Sequence, residues 1–161
     1  MTNQDLNLLD AIQIAMEAER KASSFYADAA QKTSNPLGQR LFEQLADFER
    51  YHYQKLADLE TSLGEEGAFA EYEGRELSLP APGEVEGIQE PDKKSAMAIM
   101  SMALDIERAA EERYTALAEQ VTDPTVQAMF NRLAEEEHTH HRVLRNAYWS
   151  VNNHGVWAWS E

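Results

Sequence analysis

The strongest constraint on this chain is that its second half repeats its first at a fixed offset of 88 residues. Ala15 to Leu56 fall on Ala103 to Leu144 without a gap, with 14 identities over 42 positions, where about three would be expected from ordinary composition. Whatever one half folds into, the other folds into as well, and each has the other against which to bury its apolar face. Some identities are packing residues: Pro36 with Pro124, Phe42 with Phe130, Leu45 with Leu133, and Leu56 with Leu144. Others are polar, namely Glu19 with Glu107, Tyr26 with Tyr114, Glu49 with Glu137, and His52 with His140.

Apolar residues recur at helical spacing along most of the chain, as in Ile12, Met16, Ala22 and Tyr26, then Leu41, Leu45, Phe48, Leu56 and Leu59. No strong strand pattern competes. Asn35-Pro36 and Asp123-Pro124 each place a capping side chain before a proline suited to the first helical position, which splits each half into two helices. The pattern predicts helices near residues 5–33, 36–62, 92–121 and 124–149. Between the second and third, residues 64–91 hold five of the seven glycines, three of the five prolines, and eight glutamates against one arginine. This linker is expected to be a solvated excursion. Its length suits the crossover that joins two hairpins in the ferritin-like manner, running the length of the bundle.

The expected fold is all-α, a ferritin-like four-helix bundle of two related hairpins in one domain over residues 1–161, with an aromatic tail at 150–161. The chain has no cysteine, which excludes disulfides, thiolate metal sites and cysteine nucleophiles and suits a cytoplasmic location. A net charge of −15 argues against nucleic acid or an anionic membrane as partner. The N-terminus has neither a basic stretch nor a long apolar one, so no secretory signal is expected.

The polar repeat pairs fall on the apolar stripes. Glu137 lies four residues after Leu133, and His140 four before Leu144; Glu49 and His52 lie equivalently between Leu45 and Leu56, Glu19 between Met16 and Tyr26, and Glu107 between Met100 and Tyr114. Every helix is therefore expected to point a carboxylate inward. Burying four ionised carboxylates without partners is prohibitive, and no lysine or arginine occupies the matching inward positions. Cations from outside resolve the conflict. Glu-x-x-His at 49/52 and 137/140 puts each pair on one helical face. Glu19 and Glu107 each add a terminal ligand, and Glu49 and Glu137 are placed to bridge. Four carboxylates and two neutral imidazoles carry −4, which balances two divalent ions. Oxygen-rich ligands with one imidazole per metal suit iron or manganese, although zinc can occupy such a site.

The segments EAERKASSFY at 17–26, LADFERYHYQKL at 45–56, LDIERAAEERY at 104–114 and LAEEEHTHHRVL at 133–144 resemble the rubrerythrin branch of the ferritin-like superfamily. The resemblance implies Glu19, Glu49, His52, Glu107, Glu137 and His140 as ligands of two iron ions, with Tyr26 and, through the repeat, Tyr114 beside them. It implies reduction of hydrogen peroxide or dioxygen, or handling of Fe(II) as a ferroxidase. Two departures stand out. Rubrerythrins carry a further glutamate three residues after the helix-three ligand, where this chain has Ala110, with Glu111 adjacent but not equivalent. The cysteine-rich rubredoxin-like domain is also missing, so electrons are expected from an external donor such as a rubredoxin-like protein. A bundle merely stabilised by a redox-inert metal is the non-catalytic alternative.

The remaining candidates receive plainer readings. Glu17, Glu112, Glu135 and Glu136 lie off the inward stripes and are expected in solvent, as is His138. His141 competes with His140, but the repeat pairs His140 with His52 and His141 with Tyr53. Met97, Met100 and Met102 read as core filler. The ending YWSVNNHGVWAWSE is read either as a tail folded over the bundle end or as a contact in a homodimer, with His154 not a ligand.

Overall fold

The computed structural model describes residues 3–63, 71–79 and 88–159, and its elements are four helices, α1 Asn3–Lys32, α2 Pro36–Ser62, α3 Lys93–Gln120 and α4 Pro124–His154. The caps act as the sequence predicts. Asn35 Oδ1 accepts from the Leu37 and Gly38 amides at 2.9 and 3.4 Å, and Asp123 Oδ1 accepts from Thr125 and Val126 at 2.8 and 3.2 Å. Three helices match the expected bounds closely. The fourth runs on through Asn152, Asn153 and His154, so the first part of the expected tail is helical. Gly155 ends it in the left-handed conformation at φ 71°, its amide donating to Val151 O.

α1 packs along α2, α3 along α4, and α1 meets α3 between the hairpins. The apolar interior falls into two clusters at opposite ends. One joins Ala22, Tyr26, Phe42, Leu45, Met100 and Leu144; the other joins Ile12, Leu56, Leu59, Tyr114, Phe130 and Leu133. α1 passes from the second cluster to the first and α3 from the first to the second. The repeat is thus a dyad across the bundle, and it exchanges the clusters. Tyr26 stacks on Phe42 at 6.2 Å and 18°, and its counterpart Tyr114 stacks on Phe130 at 6.3 Å and 18°. Between the clusters lies a layer that is not apolar.

The segment 71–79 stays largely exposed, as expected of a solvated linker, yet it is anchored to the bundle. Its Leu77 and Leu79 pack on one cluster and Tyr72 on the other. Tyr51 of α2 donates to Glu73 O at 2.6 Å, and Gln44 of α2 both donates to Ser78 O at 2.6 Å and accepts from Ser78 N at 2.8 Å. A chain of glutamates can lie down in this way because Tyr72, Leu77 and Leu79 turn inward between them.

The tail folds back over the bundle. Trp157 is buried, packs edge-on against Phe42 at 5.7 Å, and donates to Glu90. Gly38 admits it, since a Cβ there would stand 2.7 Å from both Thr33 Cγ2 and Trp157 Cζ2. Gln89 and Val156 form an isolated antiparallel bridge, and Asn35 Nδ2 donates to Ile88 O at 3.2 Å. Trp149 is exposed. Met102 is also 57% exposed, so only Met100 of the three helix-three methionines is fully in the core. No helix among the described residues is long and apolar enough to cross a membrane.

Candidate metal centre

The layer between the apolar clusters is built from one turn of each helix. α1 supplies Glu19, α3 Glu107, α2 Glu49 with His52, and α4 Glu137 with His140, and none of the six is more than 1% exposed. Two groups of donor atoms form within this layer, Glu19, Glu49, His52 and Glu137 in one, and Glu49, Glu107, Glu137 and His140 in the other. In each, the candidate atoms lie within 4.8 Å of one another. Atoms ligating a metal at about 2.0–2.2 Å stand at most ~4.4 Å apart, so a small inward adjustment closes either group on an ion. Glu49 and Glu137 are common to both groups, and Glu19 with His52 and Glu107 with His140 are private to one.

The imidazoles present the same nitrogen to the layer. His52 Nδ1 lies 2.7 Å from Glu137 Oε1, 3.5 Å from Glu19 Oε1 and 3.7 Å from Glu49 Oε2. His140 Nδ1 lies 3.3 Å from Glu49 Oε1 and 3.6 Å from Glu107 Oε1 and Glu137 Oε2. These approaches are not aligned as hydrogen bonds. Glu19 Oε2, Glu49 Oε1, Glu107 Oε2, both Glu137 oxygens and both Nδ1 atoms are buried without a hydrogen-bond partner among the described residues. Orphaned buried polar atoms are rare in folded proteins, and converging orphans of the donor types that bind divalent cations fit a metal pair. No lysine or arginine pairs with any of these four glutamates among the described residues.

Protonation in the metal-free chain divides the glutamates by place rather than by hairpin. Burial, reinforced by Glu49, pushes Glu19 up to about 8, and burial with Glu137 and Glu49 nearby pushes Glu107 well above the carboxylate range. Burial also pushes Glu49 and Glu137 up, but the close approach of their neighbours outweighs it. Glu19, His140 and His52 hold Glu49 below its usual value, and Glu107, His140 and His52 hold Glu137 at about 2. Both histidines are raised despite burial, because each faces a terminal glutamate, Glu19 for His52 and Glu107 for His140. Protons here occupy the positions that divalent cations would take.

Tyr26 and Tyr114 cross between hairpins. Tyr26 donates to Glu107 Oε1 at 2.6 Å, and Tyr114 to Glu19 Oε1 at 2.5 Å. The other predictions sort cleanly. His138 is exposed and pairs with Glu111 at 3.0 Å, so Glu111 is turned to the surface and does not fill the place left by Ala110. Glu17 pairs with Arg20 at 2.6 Å in solvent, and Glu112 and Glu135 are exposed. His141 joins neither donor group; partial burial, with Arg108 and Arg145 nearby, lowers its pKa. His154 stands 5.1 Å from Trp149, ring to ring, and also lies outside both groups.

Glu136 is the correction. Expected in solvent, it is 3% exposed, because the crossover covers that side of α4. Its Oε1 accepts from Tyr72 Oη at 2.5 Å and lies 3.3 Å from His52 Nε2, while its Oε2 accepts from the Arg75 amide at 2.7 Å. Spacing contained the signal: Glu136 sits three residues after Leu133 and four before His140, a placement compatible with the inward stripe.

A four-helix bundle with this dyad-related set of glutamates and histidines belongs to the ferritin-like class. A solved structure of a hypothetical protein from Pyrococcus furiosus has the same fold, with a TM-score of 0.73 and 23% identity over 93% of each chain. Among curated proteins nothing matches. The rubrerythrin family matches residues 1–60 and 98–156, which leaves out most of the crossover. The chain belongs to the rubrerythrin family, a family of di-iron proteins.

Proposed function

We propose that this chain is a di-iron oxidoreductase that reduces hydrogen peroxide or dioxygen, with Glu19, Glu49, His52, Glu107, Glu137 and His140 as the ligands of the iron pair. The observation that carries the reading is the double donor group with its converging unpartnered atoms. Two ferrous ions bound there supply two electrons, which is what one peroxide needs, with two protons, to become two waters. The chain's part is to position and insulate. Tyr26 and Tyr114 orient the two terminal glutamates, and the apolar clusters on either side keep bulk water out of the layer. Burial of all six side chains limits the substrate to something as small as peroxide or oxygen. Reducing electrons would come from a donor outside this bundle, such as a rubredoxin-like protein, in a cytoplasmic setting.

Loading with Fe(II) under anaerobic conditions, followed by one equivalent of hydrogen peroxide, should oxidise two irons per chain within seconds, read as a rise in near-ultraviolet absorption. A loaded protein whose iron stays ferrous would sink the proposal. Oxidation of many irons per chain under oxygen would identify Fe(II) itself as the substrate and make the protein a ferroxidase. Retention of zinc, with a large gain in stability and no response to oxidant, would indicate a purely structural metal.

A further inference from the structure

The 88-residue repeat pairs Glu136 with Phe48, and these two residues, each just before a glutamate shared by both donor groups, meet the histidine of the opposite hairpin. Phe48 packs edge-on against His140, ring centroids 4.3 Å apart, and His140 Nε2 is buried with no hydrogen-bond partner among the described residues. Glu136 instead places a carboxylate oxygen 3.3 Å from His52 Nε2. The dyad that equates the ligand sets is broken one layer out.

Glu136 is not a seventh ligand of the pair. Both its oxygens are engaged, by Tyr72, the Arg75 amide and His52. Glu19, Glu49, Glu107 and Glu137 each keep at least one oxygen free. A carboxylate can only accept, so the nitrogen facing it must carry the proton, and the lone pair of a neutral His52 then falls on Nδ1, toward the donor group. Hydrogen bonding of a ligand imidazole's far N–H to a carboxylate fixes its tautomer and orientation and raises its basicity. Phe48 packs T-shaped against both imidazoles, and the far nitrogen of His140 has no such carboxylate among the described residues.

We propose that Glu136, clamped by Tyr72 and Arg75 of the crossover, is a positioning residue that locks His52 in its ligating orientation and makes the Glu19/His52 metal position the tighter of two unequal ones. The inference rests on the metal-pair reading. It gives the crossover a role at the centre, because the segment that closes the bundle also holds the carboxylate behind one ligand.

Anaerobic titration of the intact wild-type chain with Co(II), followed in the visible spectrum, should show two ions binding in separate steps. In Glu136→Gln the tighter step should weaken by about 10–100-fold, the usual cost of losing such a partner, while the weaker step stays within about twofold. Equal steps in the wild type, no change in the variant, or a parallel loss of both steps would overturn the inference and leave the metal pair intact. Failure of the wild type to bind two ions would overturn the metal-pair reading itself. A measurement without a variant is nitrogen-15 histidine NMR of the zinc-loaded wild type. One far N–H proton should lie well downfield of the other, and coincident shifts would overturn the proposal.

Discussion

The two hairpins offer the same four side chains to the centre of the bundle, a tyrosine, a terminal glutamate, a second glutamate and a histidine, yet they surround their histidines differently. On the His52 side a carboxylate held by the crossover stands at the far nitrogen; on the His140 side that nitrogen has no hydrogen-bond partner among the described residues, and Phe48, the repeat counterpart of Glu136, packs against both rings. Side chains proposed to meet an ion are the same in both halves, since on that reading either half supplies a comparable donor set. Residues one shell further out meet the rest of the chain, and the crossover packs at Glu136 but has no second copy. Asymmetry enters where the repeat stops applying.

The largest effects should come from breaking what the halves share. Glu137 belongs to both donor groups, so Glu137→Ala should take the chain from two bound divalent ions toward none. His52 and His140 belong to one group each, so His52→Ala and His140→Ala should each leave about one ion. Metal analysis after equilibrium dialysis distinguishes the cases. If either histidine variant lost both ions, or the Glu137 variant kept one, the assignment of shared and private ligands would be wrong.

Acidity sharpens the comparison next, because it treats the two sides alike. Glu19, Glu107, His52 and His140 all have raised folded-state pKa values in the metal-free chain, so the folded state binds more protons than the unfolded one. Stability must then fall as pH rises. For Glu19 the loss runs from about 4.5 to about 8. Glu137, held at about 2, contributes in the opposite sense, and its share is lost only in acid as pH falls from 4.5 toward 2. The metal-free protein should therefore melt at lower temperature at pH 8 than at pH 5.5. Metal must displace these protons, so apparent affinity should rise about tenfold per pH unit for each proton released. Thermal melts with and without Co(II) across this range check both slopes, and parallel slopes would contradict the proton-for-metal exchange.

How far these features were legible in the sequence follows the same division. The helices, their caps and the convergence of the six central side chains could be read because each feature occurs twice at one offset, and a residue type kept on the apolar stripe in both copies is seldom accidental. Glu136 could not be assigned in that way. Its repeat partner is Phe48, its spacing fits either face, and its anchors lie 61 and 64 residues away in a segment whose composition reads as linker. Tyr72, Leu77 and Leu79 supply the inward contacts of that segment, but three apolar side chains among glutamates make no period. The overrun of α4 to His154 was hidden for a local reason: Asn152-Asn153 is poor helix, and it stays helical because Val151 is buried and Gly155 ends the last turn.

The finest test concerns the crossed tyrosines. Tyr26 belongs to the first hairpin but donates to Glu107 of the second, and Tyr114 of the second donates to Glu19 of the first. Each phenylalanine substitution should therefore weaken the metal position of the opposite hairpin's terminal glutamate. Loss of one hydrogen bond, worth about 1 kcal/mol, corresponds to roughly fivefold in affinity. Tyr26→Phe should weaken the Glu107/His140 step by that factor and leave the Glu19/His52 step alone, with Tyr114→Phe doing the reverse. A His140→Ala background, which keeps only the Glu19/His52 position, makes the distinction sharp, because independent sites give additive effects and coupled ones do not. There Tyr26→Phe should have no effect on Co(II) affinity and Tyr114→Phe should retain its full fivefold loss. An effect of Tyr26→Phe in that background would mean that the phenol acts through the shared glutamates rather than through Glu107, and the two sides of the centre would then be less separable than their hydrogen bonds suggest.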